Sequence, residues 1–369
     1  MKVLVISPKN KTVFNFRGDL IKAMIANGHE VYVTGPNQDF IEDIMALGVT
    51  TFIEVPFVKD NVNAFGDFKY CKLLKEKVKE VNPDVVFSYT IKPVIYGSIA
   101  AGKAGVKHIY PMITGLGRVF ASYTVKAKFV RFVAGFLYKY ALSNCDKVMF
   151  QNNDDLNHFV KLGYVREEKT EHIDGSGVNM SRFEFNGLPE NHVFLMTARI
   201  IKEKGVFEYC KAARIVKKQY PDARFILLGG YDNSIGAIAP SDIQEYIEDG
   251  SIEFPGETKD VVPFLKKCRY FVLPTFYCEG LPRTILEAMA MGRPVITTDW
   301  PGCRDAVKDG ENGYLVEPQN AEQLADKMIL LMTDSLKVQA MSKKAIERCK
   351  FTYDVNVINK KMLEIMHLA

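Results

Sequence analysis

The sequence predicts an α/β protein built on two doubly wound parallel sheets, and three observations carry that prediction. Short apolar runs of strand length alternate with amphipathic stretches of helical length along the chain. The rhythm breaks once, at residues 183–191, where Phe185-Asn186-Gly187-Leu188-Pro189-Glu190 brings turn residues and no periodicity. It then restarts from a fresh apolar run at residue 193.

In the first half, strands are expected at residues 2–7, 29–34, 50–55, 84–88, 107–112 and 147–150. Helices are expected between them at 18–27, 68–81, 94–104 and 124–142, with 7–18 read as a loop. The first strand is apolar at consecutive positions, the pattern of a strand covered by helices on both faces. In the second half, strands are expected at 193–197, 224–228, 251–254, 270–273 and 294–297, with a helix at 205–219. Residues 353–368 read as a helix that follows completion of the second sheet, so it is expected to pack back against the first half. The organisation is therefore 1–187, 188–350 and a C-terminal helix at 351–369. Open α/β sheets bind ligands beyond the carboxyl ends of their strands, so the two halves are expected to face each other across a cleft that holds the site.

Composition narrows the class. The 369 residues are 47% hydrophobic and 25% charged, which excludes disorder, collagen and coiled coil and leaves a globular protein with a sizeable core. No run of about 18 apolar residues occurs, and the N-terminus lacks the apolar region of a signal peptide, so a cytoplasmic protein is expected. The seven cysteines include no Cys-x-x-Cys and the six histidines no His-Glu-x-x-His. Reduced, mostly buried thiols and no metal site are expected.

The net charge is only +4, but its distribution is uneven. From Val85 to Cys145 there is no acidic residue, while Lys92, Lys103, Lys107, Arg118, Lys126, Lys128, Arg131 and Lys139 are basic. Such a segment attracts phosphates.

The most informative stretch is Phe276-Tyr277-Cys278-Glu279-Gly280-Leu281-Pro282-Arg283-Thr284-Ile285-Leu286-Glu287-Ala288. A strand leads into a loop, and Pro282 stands where the first turn of a helix would begin. Amides of Gly280, Leu281 and Arg283 could meet an anion there, helped by the helix dipole. Gly280 permits close backbone approach. Glu279 lies ahead of the helix, and Glu287 shares a helical face with Arg283. Two carboxylates around a phosphate-binding helix start suit a sugar nucleotide. On spacing alone, Glu279 reads equally as a capping carboxylate and Glu287 as a surface ion pair. A second stretch, Thr197-Ala198-Arg199-Ile200-Ile201-Lys202-Glu203-Lys204-Gly205, follows the first strand of the second half. Arg199 and Lys204 there could neutralise a leaving diphosphate, or line a solvated loop.

These residues resemble the nucleotide-binding half of retaining glycosyltransferases of family four, which have the GT-B fold of two Rossmann-like domains. The family's two glutamates, with seven residues between them, match Glu279 and Glu287. Gly292-x-Pro294-Val295-Ile296, Asp309-Gly310-x-Asn312-Gly313 and the Arg199 and Lys204-Gly205 pair match as well. The resemblance implies that Glu279 binds donor-sugar hydroxyls near the reacting carbon, and Glu287 the ribose. It gives Arg199 and Lys204 the diphosphate, with amides of Gly280 and Leu281 beside Pro282 and Arg283. Glu257-Thr258 matches the loop that meets the base. It implies retention and no metal or other cofactor.

The first half departs from the family's common pattern. It has no Gly-Gly pair after the first strand, where the loop runs to Arg17-Gly18, and no histidine after the fourth, where Thr90 and Lys92 stand instead. Thr114-Gly115-Leu116-Gly117-Arg118 resembles a segment of bacterial members that extend polyprenyl-diphosphate-linked sugars. Arg17, Thr90, Lys92, Gly115, Gly117 and Arg118 are therefore the expected acceptor-binding residues. In the helix at 124–142, Lys128, Arg131 and Lys139 share a stripe beside Phe129, Val130, Phe132, Val133, Phe136 and Tyr140. A basic amphipathic helix of that kind suits an anionic membrane surface, although a large apolar face also suits a core.

The expectation is a UDP-sugar-dependent hexosyl- or N-acetylhexosaminyltransferase acting on a lipid-linked glycan acceptor, peripheral at the inner face of the plasma membrane. A sugar-nucleotide epimerase of the same architecture and a non-catalytic sugar-nucleotide-binding subunit are the alternatives. No nucleic-acid-reading motif is present.

Overall fold

The computed structural model of the chain describes residues 1–57, 64–117, 125–232 and 236–369, the side chains of 125–127 and 129 excepted. The chain divides into two compact units. The first comprises Met1–Ser176, Cys278–Gly280 and Val355–Ala369, and the second Gly177–Tyr277 and Leu281–Asp354. Each is a parallel sheet clothed in helices, as the alternating pattern predicts.

The first unit contains β1 (Lys2–Ile6), β2 (Glu30–Gly35), β3 (Thr51–Glu54), β4 (Val85–Tyr89), β5 (His108–Ile113), β6 (Val148–Phe150) and β7 (Thr170–His172). They pair in the order β3-β2-β1-β4-β5-β6-β7, all parallel. In the centre of the sheet, Val3 sits between Val31 and Val85. Alternation along β1 sends Val3 and Val5 into one core with Leu20, Met24, Ile358 and Met362. It sends Leu4 and Ile6 into another with Leu74, Val78, Ile99 and Leu142. Both faces are covered, which is why the strand is apolar throughout. The C-terminal helix Val355–Ile365 belongs to this unit, and Asn27 Nδ2 donates to the Leu368 carbonyl at 2.9 Å beside it.

The first helix runs Asn10–Ala26, so residues 10–17, expected in a loop, are its first turns. Val13, Arg17, Leu20, Ile21 and Met24 are buried at helical spacing. Asn10, Asn15 and Gly18, poor helix formers, mask that signal in the sequence, and burial overrides them. The helix Asn153–Lys161 and the polar edge strand β7 were not predicted either, because Thr170-Glu171-His172 carries no apolar pattern.

The second unit contains β8 (Val193–Thr197), β9 (Arg224–Leu228), β10 (Glu253–Gly256), β11 (Tyr270–Leu273), β12 (Val295–Thr298) and β13 (Gly313–Val316). The order β10-β9-β8-β11-β12-β13, all parallel, is that of a doubly wound sheet. The stretch where the rhythm breaks is held to this unit by Arg293. Its fully buried guanidinium donates to the carbonyls of Gly187 at 2.6 Å and Leu265 at 2.9 Å, and to Asn186 Oδ1 at 3.1 Å.

Among the described residues, no helix is long and apolar enough to cross a membrane. None of the cysteines is in a disulfide, and burial pushes the thiols of Cys145, Cys210 and Cys268 up to about 12.

Candidate active site

The cationic part of the site is assembled in the second unit, at the carboxyl end of its sheet. After β8 the chain passes Arg199 and makes a single turn, Lys202–Lys204, that ends at Gly205 with φ of +77°. A Cβ at Gly205 would collide with the Pro274 carbonyl. Only glycine therefore lets the turn lie directly on the end of β11. The Glu203 carbonyl accepts from Phe276 N–H at 2.8 Å and from Thr275 Oγ1 at 3.1 Å, which stitches the two loops together. Thr298 Oγ1 donates to the Thr275 carbonyl from β12.

The consequence is convergence on Tyr277. Lys204 Nζ lies 5.6 Å from the centre of its ring and Arg199 Cζ 5.7 Å. Arg199 also pairs with Asp232 Oδ2 at 2.6 Å, which holds its otherwise half-exposed guanidinium in one direction. Two cations carried on different parts of one loop are thus gathered beside one aromatic face.

The helix Arg283–Ala290 supplies the second element. Ile285, Leu286, Ala288, Met289 and Ala290 are buried against the sheet, fixing its rotation. Pro282 is its N-cap, with φ of −66°, and Leu281 is buried in the core. Arg283 Nε lies 3.2 Å from Glu287 Oε1, both side chains only 15% exposed. This is a mostly buried pair rather than a surface one. Burial pushes the Glu287 carboxyl above its ordinary range, and Arg283 and Arg182 pull it partly back. Glu257, after β10, packs where a side chain at Gly230 would stand, and Thr258 closes a turn onto the Asp260 carbonyl at 3.0 Å.

Glu279 belongs to the first unit with its neighbours Cys278 and Gly280, and the backbone of these three residues is held there by four hydrogen bonds. Asn152 Nδ2 donates to the carbonyls of Glu279 at 3.2 Å and Gly280 at 2.9 Å. Gly280 N–H donates to the Thr114 carbonyl and Gly117 N–H to the Cys278 carbonyl, each at 3.1 Å. The Gly280 amide, expected to meet an anion, is thus engaged by protein. Gly115, with φ of +114°, lies against the same backbone, where a Cβ would be 2.6 Å from Gly280 N. Gly115 and Gly117 therefore serve here as a backbone cradle for Cys278–Gly280.

The remaining expected residues are more dispersed. Lys92 pairs with Asp67 at 2.7 Å in a largely buried group that includes the Tyr96 hydroxyl. Arg17 is buried, with Nη2 donating to Met112 Sδ at 3.0 Å and the guanidinium 5.0 Å from the Tyr89 ring centre. Thr90, just past β4, has φ of +69°, a strained conformation for a β-branched residue, and its buried hydroxyl has no partner. Arg118, and the side chains of Lys126 and Phe129, lie outside the described residues. Among the described residues, no three His, Cys, Asp or Glu side chains could hold a metal ion.

Asn152, Tyr277 and Asp232 were not anticipated. Asn152 Oδ1 accepts from Asp155 N–H at 2.7 Å as the N-cap of Asn153–Lys161, and Asn directly after an apolar strand is a readable cap signal. Its bond to Glu279, 127 positions away, has no local signature.

Comparison with known proteins gives two family matches, "Glycosyl transferase 4-like" over residues 2–152 and "Glycosyl transferases group 1" over residues 180–348. The chain is 27% identical to the Campylobacter jejuni N,N'-diacetylbacillosaminyl-diphospho-undecaprenol alpha-1,3-N-acetylgalactosaminyltransferase, over 99% of this chain and 98% of that protein. It is 27% identical to the Escherichia coli UDP-Gal:alpha-D-GlcNAc-diphosphoundecaprenol alpha-1,3-galactosyltransferase, over 89% of this chain and 84% of that one. Among solved structures, Anabaena HepE in complex with UDP-glucose superposes with a TM-score of 0.80, at 18% identity over the full length of both chains.

Proposed function

Because the chain belongs to the family 4 glycosyltransferases of GT-B fold, we propose that it moves a hexose or N-acetylhexosamine from a UDP-sugar to a polyprenyl-diphosphate-linked glycan. The product would feed a surface polysaccharide or a glycoprotein glycan. The observation that carries this reading is the match along 99% of the chain to a transferase whose named acceptor is a diphospho-undecaprenol-linked sugar.

In this reading Arg199 and Lys204 hold the diphosphate of the donor beside Tyr277. Their two positive charges stabilise the charge that develops as the bond from the anomeric carbon to the phosphate oxygen breaks. Glu287 accepts hydrogen bonds from the ribose hydroxyls, and Arg283 keeps its carboxylate oriented. Glu279 accepts hydrogen bonds from hydroxyls of the sugar, its backbone held by Asn152 and Thr114. An acceptor hydroxyl then bonds to the anomeric carbon on the face the nucleotide leaves. Its proton passes to the departing phosphate oxygen, so the anomeric configuration is retained and UDP is released. Glu257 and Thr258 stand nearest the base.

The helix Val125–Ser143 supports attachment to a membrane surface. Tyr138, Ala141 and Leu142 face the core, while Phe132 is 76% and Phe136 69% exposed beside Lys128, Arg131 and Lys139. Water-facing aromatics flanked by cations suit the boundary between acyl chains and anionic headgroups. The acceptor's lipid would be anchored in that same surface.

The reading is tested by supplying labelled UDP-sugars with a polyprenyl-diphosphate-linked acceptor and extracting into organic solvent. Label entering the lipid phase, with α linkage from an α-linked donor, supports it. Label remaining as UDP-sugar, as an epimer or as free sugar contradicts it.

A further inference from the structure

On the first unit, the helices Val125–Ser143 and Asn153–Lys161 enclose an open pocket of about 360 Å³. Lys128, Arg131, Phe132, His158, Leu162 and Tyr164 line it. Its wall is built, not incidental. Tyr164 lies across the helix at Gly135, where a Cβ would collide with the phenol. The ring is held between Tyr138, 6.3 Å away and stacked, and Phe159, 5.4 Å away and edge-on. These contacts fix the spacing between the two helices and so the width of the pocket.

Among the described residues, the lining carries two permanent cations and an imidazole and no carboxylate. His158 is held below its ordinary value chiefly by burial, with Lys161 and Arg131 adding to the shift. The mouth has a different character. Phe132, Phe136 and Leu162 are exposed apolar side chains around a basic recess. A free anion would gain nothing from them, whereas an amphiphile uses both parts.

We propose that this pocket binds one anionic glycerophospholipid headgroup, the phosphate between Lys128 and Arg131 and the acyl chains along Phe132 and Phe136. The inference rests on the membrane-attachment reading above and sharpens it from diffuse attraction to a single site. A diffuse basic surface responds to the number of charges, whereas a pocket responds to which charges are removed.

The test is vesicle co-sedimentation of the full chain on phosphatidylcholine with increasing phosphatidylglycerol. Three variants are compared: Lys128→Ala with Arg131→Ala, Lys103→Ala with Lys139→Ala, and Phe132→Ser with Phe136→Ser. Each surface cation contributes about fivefold by diffuse attraction alone, so the two charge doubles would then weaken binding equally. A headgroup site predicts that the Lys128/Arg131 double loses about tenfold more than the Lys103/Lys139 double, with UDP binding unchanged as the check on folding. Equal losses overturn the pocket and leave general membrane attachment standing. Binding indifferent to the Phe132/Phe136 double and to both charge doubles overturns the attachment reading itself. Inorganic phosphate that binds without vesicles, with the same dependence on Lys128 and Arg131, makes this a free-anion site and overturns the lipid assignment.

Discussion

Gly205 lies so close to the end of β11 that the Pro274 carbonyl occupies the space a Cβ would need. That contact sets the height of the turn carrying Lys204, and so how far its ammonium reaches toward Tyr277. Gly205→Ala forces an L side chain into the left-handed region and against a backbone oxygen, at a cost of about 1–3 kcal/mol. The protein should stay folded with a lower Tm, while UDP binding weakens about tenfold or more. Unchanged UDP affinity would show that the turn does not position Lys204.

Lys204 and Glu279 should separate binding from chemistry. In the role proposed for it, Lys204 makes charge-assisted hydrogen bonds to the diphosphate worth about 1.5–3 kcal/mol, so Lys204→Ala should lower both UDP affinity and transfer by about 10- to 100-fold. Glu279→Gln should lower transfer by roughly 10²–10³ through the sugar while leaving UDP affinity little changed. Isothermal titration with UDP beside single-turnover transfer reads both. A Glu279→Gln protein that loses UDP instead would assign the residue to the nucleotide.

The raised pKa of Glu287 gives the site a pH limb with a definite sign. Its folded value lies above the unfolded one, so the stability it contributes is fully present below the unfolded pKa and is lost as pH rises through the folded one. In the role proposed for Glu287, nucleotide binding runs the other way, because only an ionised carboxylate can accept from both ribose hydroxyls. UDP affinity should therefore decline on acidification at a pH above the ordinary glutamate value of about 4.3. Glu287→Gln should flatten that limb. A limb that persists in the variant belongs to another group.

How much of this was legible in the sequence differs between the units. In the second, Val193–Thr197, Arg224–Leu228 and Tyr270–Leu273 match expectation because continuous apolar runs bounded by turn residues are a local signal. The start of Asn10–Ala26 was not legible, since its helical stripe is interrupted by polar residues that only the fold buries. The pairing of Arg283 with Glu287 follows from four-residue spacing, but its burial does not. The cradle of Cys278–Gly280 by Thr114–Gly117 and Asn152 joins residues more than a hundred positions apart through backbone groups, which no residue pattern encodes. The two glycines of that segment were therefore legible as special but not in their purpose.

Arg293 provides a test of architecture rather than chemistry. Its buried guanidinium satisfies the carbonyls of Gly187, Leu265 and Lys266 and the Asn186 amide, and Arg293→Met would leave them without donors. A loss of about 3 kcal/mol or more is expected, read as a lower denaturation midpoint. Rescue by lysine should be partial at best, since one ammonium cannot span acceptors on both sides of a planar fork. A near-neutral Arg293→Met would mean that water reaches these carbonyls.

Nucleotide release is the most direct measure of transfer from a UDP-sugar to a lipid-linked glycan. UDP-, GDP- and ADP-sugars would each be incubated with the full chain, with and without a polyprenyl-diphosphate-linked glycan. Release is expected from a UDP-sugar only when the acceptor is present, and Glu279→Gln should lower it by roughly 10²–10³. Conversion of a donor without acceptor, release from a GDP- or ADP-sugar alone, or failure to bind any uridine nucleotide would contradict it.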